Sequence, residues 1–429
     1  MKKSVLAILF LMILSLALSN VGLVLSGGGA KGGYEIGAWK ALIDMDITIG
    51  GVYGTSVGSL NAAAVAQGDF GKALEVWRDI SESKVMKPTQ GQKTLIDAYG
   101  GSNEWSVGEL FQGAIDIIKK GIDVSPLREL LEELISENTV RNSGIDFGLV
   151  TFDLTDLRPE MLFIEDIPEG KLIDYIMASA DFPGFQTVRV DGKAFIDGGI
   201  YSNQPVEMAL QRGFRNIVLV DIGRVALRDR IARFQAFVQG AEVTHIVPRI
   251  MYGSTLDFDP EKIQLQIEEG YLDTLAAFGL VTGEYTYIFE DRDVLEVMFD
   301  SLPVQKQLEA IEFIGDPARW PSPESFYEDF AGSLEKIYKL PMPTLVLLDN
   351  LARQLKIGNL MLYSTGEILK EIKTAYERDG IELPEESLIP YDRAVDFVLY
   401  LYENAPLPES PENFSFFKSS FDTLSDVKE

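Results

Sequence analysis

Two apolar runs that each break on glycine and lead into a helix set the strongest limit on how this chain can fold. Val21-Gly22-Leu23-Val24-Leu25 is short and apolar and ends at Ser26-Gly27-Gly28-Gly29, which reads as a buried strand entering a glycine turn. Gly33–Asp44 follows with Ile36, Trp39, Ala41, Leu42 and Ile43, as a helix packed on a sheet requires. Ile47–Tyr53 is a second strand, broken by Gly54. Leu60–Gln67 is then a small-residue helix closed by Gly68, the usual left-handed residue past a helix end. Further strands are expected at Phe147–Phe152, Met161–Ile164, Lys193–Ile196 and Asn216–Asp221, with helical segments between several of them. Such alternation predicts an α/β fold with a mostly parallel sheet covered on both faces.

After about Tyr287 the texture changes. Val304–Ile314, Ser325–Lys339, Thr344–Lys356, Gly366–Arg378 and Tyr391–Tyr402 show helical spacing between proline-containing turns. The chain is too long for one ordinary core. The expected division is a leader over 1–19, an α/β domain over 20–286 and a helical C-terminal region over 287–429, for which the sequence suggests no role. The leader is read from Met1-Lys2-Lys3, the uncharged run Ser4–Leu18 and the small residues of Ala17-Leu18-Ser19, the pattern of a signal peptide cleaved near Ser19 and hence of an exported protein. The alternative is an N-terminal membrane anchor. Fifteen helical residues reach only about 22 Å, short of a hydrocarbon core of roughly 30 Å, and a longer span would consume the first strand.

Charge and composition narrow the chemistry. A net charge of −28 argues against nucleic acid as a partner, because phosphate binding needs a basic surface. It also opposes general adsorption to anionic lipid, so any membrane contact must be made through apolar groups or a local patch. The chain has no cysteine, which excludes disulfides, a thiol nucleophile and cysteine-bound metals. It has one histidine, His245.

Gly54-Thr55-Ser56-Val57-Gly58 fits G-x-S-x-G between a predicted strand and a predicted helix. A nucleophile elbow needs its serine on a sharp, strained turn with glycines two residues away on either side, and the following helix directs its positive end toward developing negative charge. The ordinary reading is a glycine-bounded strand–helix turn. Gly27-Gly28-Gly29-Ala30-Lys31-Gly32 also satisfies G-x-G-x-x-G at Gly27, Gly29 and Gly32, so a dinucleotide site must be weighed. That fingerprint expects an acidic residue at the end of the second strand, where Tyr53-Gly54-Thr55-Ser56 stands instead. The same loop can offer backbone N–H groups to an oxyanion. Lys31 could add charge or order the loop, or be a solvated lysine. Asp197-Gly198-Gly199 follows the strand Lys193–Ile196, at the kind of strand end where ligands gather in such sheets; by itself it reads as a polar turn.

Together these three elements resemble the patatin-like phospholipase family, whose pattern is G-G-G-x-[K/R]-G, a G-x-S-x-G elbow and a downstream D-G-[A/G]. All three occur in family order at Gly27–Gly32, Gly54–Gly58 and Asp197–Gly199. Ala178-Ser179-Ala180-Asp181-Phe182-Pro183 resembles the block before the family aspartate, and Asn203-Gln204-Pro205-Val206 the segment after it. The resemblance covers roughly residues 20–280. It implies a three-layer α/β/α fold and hydrolysis of lipid carboxylic esters without metal or cofactor. Ser56 would be the nucleophile, Asp197 the general base, and the Gly27, Gly28 and Gly29 amides the oxyanion hole. Lys31, Gly32, Gly54, Gly58, Gly198 and Gly199 would support these residues. An acyltransferase using the same pair, or a binding protein that retains the fold, are the alternatives.

A Ser-Asp pair also fits the scarcity of histidine. A triad needs an imidazole, and His245 lies in Thr244-His245-Ile246-Val247-Pro248, which reads as a strand entering a turn. An aspartate is a poor base at its ordinary pKa but a better one when desolvated, so Asp197 is predicted to be buried. Two features have ordinary readings. Asp257-Phe258-Asp259-Pro260-Glu261 lacks the spacing of a known calcium loop and is taken as solvated. Asp153 and Asp156 are taken as turn formers. Ser106–Lys120 carries an apolar stripe at Val107, Leu110, Phe111, Ala114, Ile117 and Ile118, which fits a helix packed on its own core or one bordering the site and touching lipid.

Overall fold

β1 (Val21–Leu25) is buried at every position, as a strand covered on both faces must be. The computed structural model describes residues 20–99, 120–290, 292–338, 342–379 and 391–425. The expected leader and most of the Ser106–Lys120 stripe lie outside the described residues.

β1 pairs in parallel with β2 (Ile49–Thr55) on one side and with β7 (Asn216–Val220) on the other. β3 (Asp146–Asp153) extends the parallel array beyond β2, and β8 (Glu242–Ile246) extends it beyond β7. β4 (Arg158–Phe163) and β6 (Lys193–Asp197) pair with β3 antiparallel, and the two-residue β5 (Arg189–Val190) pairs with β6. The sheet is therefore mostly parallel, with antiparallel strands gathered at the β3 side. Alternation along the strands divides the core. Val24, Tyr53, Ile217 and Leu219 share one face with residues of the helices Val206–Gln211 and Leu227–Val238. None of the residues of the helices Gly33–Asp44, Val57–Gln67 and Pro260–Ala277 belongs to that cluster, although these helices pack against β1, β2, β3 and β8, and Gly33–Asp44 packs against both of the others. The result is three layers, α/β/α.

The forked pairing of β3 sets up the site. β4 occupies one edge of β3 from Gly148 to Asp153. β2 occupies the other edge as far as the Thr55↔Val150 pair. A strand has only two edges, so β6, which begins pairing at Asp197↔Thr151, must take the edge that β2 vacates. The residue after Thr55 and the last residue of β6 are thereby delivered to the same place.

The chain divides into two compact units between Ala277 and Phe278, whereas the sequence texture suggested a change near 287. The second unit is built largely of helices, including Val294–Ser301, Val304–Glu312, Pro323–Tyr338, Pro343–Gln354, Thr365–Asp379, Tyr391–Asn404 and Phe414–Ser425. It also contains a short parallel pair, β9 (Tyr287–Phe289) with β10 (Leu362–Ser364), that helical spacing did not suggest. Phe299, Phe326, Phe330 and Phe397 are buried together in its core, with the Phe326 and Phe330 rings stacked 5.7 Å apart. Asp349 is buried because it accepts backbone N–H bonds from Glu284, Tyr285 and Thr286.

Candidate active site

Ser56 is the hinge between β2 and the helix Val57–Gln67, with φ 56° and ψ −130°. A non-glycine residue at positive φ is strained, and here the surroundings impose it. A Cβ on Gly54 would lie 2.1 Å from the Gly58 carbonyl oxygen, and one on Gly58 would lie 2.3 Å from that of Leu25. Only glycine at both positions lets the turn close this tightly. Ser179 Oγ accepts the Ser56 N–H at 3.0 Å and donates to Val150 O at 2.7 Å, and Thr55 Oγ1 donates to Ser202 O. The elbow is thus tied to β3 and to the segment after Asp197.

Asp197 is 7 % exposed, and its carboxyl is close enough to the Ser56 hydroxyl for that group to act on its pKa. Burial pushes the carboxyl up to about 6, while the Ser56 hydroxyl and the Gly199 N–H, the latter bonded at 2.8 Å, hold it down. Gly198 lies so close to Val150 that a Cβ would sit 2.2 Å from its carbonyl oxygen, which fixes the turn out of β6. Asp181 is buried beside the pair and its carbonyl accepts the Asp197 N–H at 3.0 Å. Burial pushes the Asp181 carboxyl up to about 7, the Val188 N–H opposes this, and the charge of Asp197 adds to it.

The glycine loop follows β1 and is clamped from two sides. Asn203 Oδ1 accepts the Gly27 N–H at 3.2 Å, and Asn203 Nδ2 donates to Gly27 O at 3.0 Å. Gly29 has φ +62°, and a Cβ there would strike Thr255 O at 2.1 Å, while Ala30 N–H donates to that same oxygen at 2.8 Å. Among the described residues the Gly28 and Gly29 N–H groups have no partner, whereas Gly27, expected as a third oxyanion donor, is engaged by Asn203. Gly32 packs against Trp77, where a Cβ would lie 2.5 Å from the ring. Behind the loop, Asn61 donates to Glu35 and accepts from the Trp77 indole. Lys31 is half-buried, and that burial lowers its pKa against the raising influence of Asp221.

An apolar cavity opens at Ser56. Its walls include Leu60, Trp77, Leu130, Phe182, Phe185 and Phe258 together with Gly29 and Ser56, and the space, including the part open to solvent, is about 760 Å³. The arrangement suits nucleophilic attack by Ser56 on a carbonyl whose substituent is a hydrocarbon chain, with proton transfer to Asp197.

The other carboxylates do not join it. His245 Nε2 lies 3.0 Å from Asp221 Oδ2, one strand beyond the glycine loop, and that pair leaves Ser56 to Asp197. Lys262 Nζ bridges to Asp257 at 2.7 Å, and no metal-binding cluster occurs among the described residues. Asp153 Oδ1 accepts the Thr155 and Asp156 N–H groups, a turn as expected. Sequence reasoning gave no roles to Ser179, Asn203 or Thr255. The first two stand within the blocks that carry the family resemblance, whereas Thr255 had no local signal.

Residues 23–210 match the family model described as Patatin-like phospholipase. Lysophospholipase NTE1 of Mycosarcoma maydis is 26 % identical over 212 residues, which make up 48 % of this chain and 10 % of that protein. Patatin-like phospholipase domain-containing protein 7 of Rattus norvegicus is 23 % identical over 210 residues, 47 % of this chain and 14 % of that protein. The match is therefore to one part of much longer relatives. Among solved structures, VipD from Legionella pneumophila aligns over 91 % of this chain and 92 % of its own, at 15 % identity and a TM-score of 0.38.

Proposed function

We propose, on the premise that this chain belongs to the patatin-like phospholipase family through its residues 23–210, that it is a lipid acyl hydrolase working through a Ser56–Asp197 pair. The observation that carries this reading is the buried, burial-shifted carboxyl of Asp197 close to the hydroxyl of Ser56, which lines an apolar cavity. Ser56 Oγ bonds to the ester carbonyl carbon while its proton passes to Asp197. The carbonyl oxygen becomes an oxyanion that the Gly28 and Gly29 amides receive; such a donor typically lowers the barrier by about 3–4 kcal/mol. Collapse breaks the ester C–O bond, and the leaving alcohol takes the proton from Asp197. Water then repeats the sequence on the acyl-enzyme and releases the fatty acid.

The cavity supports a single acyl chain as the part recognised, because its walls offer hydrocarbon contact and little polar guidance. The test is release of fatty acid from lysophosphatidylcholine and of p-nitrophenol from short esters by wild type and Ser56→Ala. Turnover of both substrates by wild type and neither by the variant supports the reading. Equal turnover by the two proteins contradicts it.

A further inference from the structure

The helix Leu227–Val238 is inside out for a surface helix. Such helices ordinarily turn their large apolar side chains toward the core. Here the buried positions are Asp229, Ala232 and Ala236, and the large apolar groups face outward. Leu227, Ile231, Phe234 and Val238 are spaced to lie on one helical face, with Phe237 beside it. Leu227 is 76 % exposed, Phe234 66 %, Phe237 79 % and Val238 65 %.

The same stretch reverses the charge of the molecule. The whole chain carries 38 basic and 66 acidic residues. Residues 224–238 carry Arg224, Arg228, Arg230 and Arg233 against a single acid, Asp229. Asp229 is fully buried and accepts from Ser202 Oγ and from the Asn203, Gln204 and Ala226 amides, so it is occupied within the fold. Arg228 pairs with Glu207. Arg224, Arg230 and Arg233 have no ion-pair partner among the described residues.

Position links this face to the chemistry. β7 lies beside β1 in parallel, so the helix that follows β7 starts from the sheet edge that bears the glycine loop and Ser56. Ile200, Val247, Ile250 and Met251, at the ends of elements leaving that edge, are exposed as well. Asp229 holds the amides of residues 203 and 204, and Asn203 in turn clamps Gly27. The first turn of the helix is thus connected to the glycine loop through one residue.

We propose that this helix is the face by which the protein seats on an anionic lipid surface. Its apolar side chains enter the headgroup–acyl boundary and Arg224, Arg230 and Arg233 meet lipid phosphates. The proposal rests on the lipid hydrolase reading, which supplies the reason for an interface. It identifies the local patch that a chain of net charge −28 needs in order to approach such a surface. A second copy packed face to face would bring these arginines against their own counterparts, which disfavours that occupant.

The test is flotation of the full chain with vesicles of phosphatidylcholine, alone or mixed with phosphatidylglycerol, beside hydrolysis of a soluble short-chain ester. Wild type should float with the mixed vesicles and release as salt rises. Changing Arg224, Arg230 and Arg233 together to Gln should weaken binding to them by about a hundredfold, at about fivefold per arginine. Phe234→Ser with Phe237→Ser should weaken binding to either vesicle by about tenfold or more. Both sets should hydrolyse the soluble ester within twofold of wild type, which also verifies that they fold. Vesicle binding that ignores either set of changes overturns the proposal. So does a wild-type dimer that the phenylalanine changes dissociate while vesicle binding stays. If wild type hydrolyses no ester yet binds in this pattern, the docking face stands and the hydrolase reading falls.

Discussion

Two acid–base pairs stand at neighbouring strand ends of one sheet, and only one of them meets the needs of catalysis. Asp221 and His245 face each other at 3.0 Å at the ends of β7 and β8 and, as residue types, look like two thirds of a hydrolytic triad. Their side chains are 9 % and 37 % exposed, and neither residue is held at a positive φ. Asp197 is almost fully buried, carries a carboxyl pushed up to about 6 by that burial, and meets a serine held at φ 56°. In the proposed mechanism, reactivity follows from desolvation and backbone strain rather than from the presence of an imidazole. An aspartate can take the role of base because the fold removes water from it.

The comparison can be broken most easily at Ser56. Ser56→Ala should lower ester hydrolysis by about 10⁴-fold or more, to the background rate, measured as initial rates on a short ester. Asp197→Asn should lower it by about 10²- to 10⁴-fold, the usual worth of a positioned base. The same variant should gain stability. The folded pKa of Asp197 lies above the ordinary carboxylate value, so ionising it opposes folding; the penalty is absent below about pH 4 and complete above about pH 6. The difference between 3.8 and about 6 corresponds to at most about 3 kcal/mol at neutral pH, read as a rise in denaturation midpoint that disappears in acid. A loss of stability in Asp197→Asn at neutral pH would mean that desolvation is not what tunes this group.

Smaller effects sharpen the contrast. The wild-type rate should fall tenfold per pH unit below about pH 6, since Asp197 must be ionised to accept the proton; a limb near pH 4 would indicate a solvated carboxylate. Asn203→Ala should cost about tenfold in kcat by releasing Gly27 and loosening the two amides beside it. His245→Asn should change the rate by less than about twofold, as expected for a residue outside the reacting group.

Much of this was legible in the sequence because the steric demands of sharp turns are local. Gly54 and Gly58 flank a serine that can turn sharply only if both lack side chains, and Gly29 accepts a left-handed backbone in any context. Strand runs such as Val21–Leu25 and the ordered motifs around Ser56 and Asp197 carried the rest. What was not legible depends on distant partners. That β6 takes the edge of β3 vacated by β2 cannot be read from either segment. Nor can the clamp of Asn203 on Gly27, which removes one of three expected donors, or the approach of Thr255 to Gly29. The outward face of Leu227–Val238 escaped for a different reason. Helical periodicity is the same whether the apolar side meets a core or solvent, and only the buried Ala232 and Ala236 decide it. The pair β9 and β10 escaped because each is only three residues long, too short to register as a strand.

The most direct test of the Ser56–Asp197 pair is mass spectrometry of protein treated with a fluorophosphonate, followed over pH in wild type, Asp197→Asn and His245→Asn. The account predicts one adduct, on Ser56, forming at a rate that rises through about pH 6, falls steeply in Asp197→Asn and is unchanged in His245→Asn. An adduct on another residue, or labelling of Ser56 that depends on His245 and ignores Asp197, would contradict it.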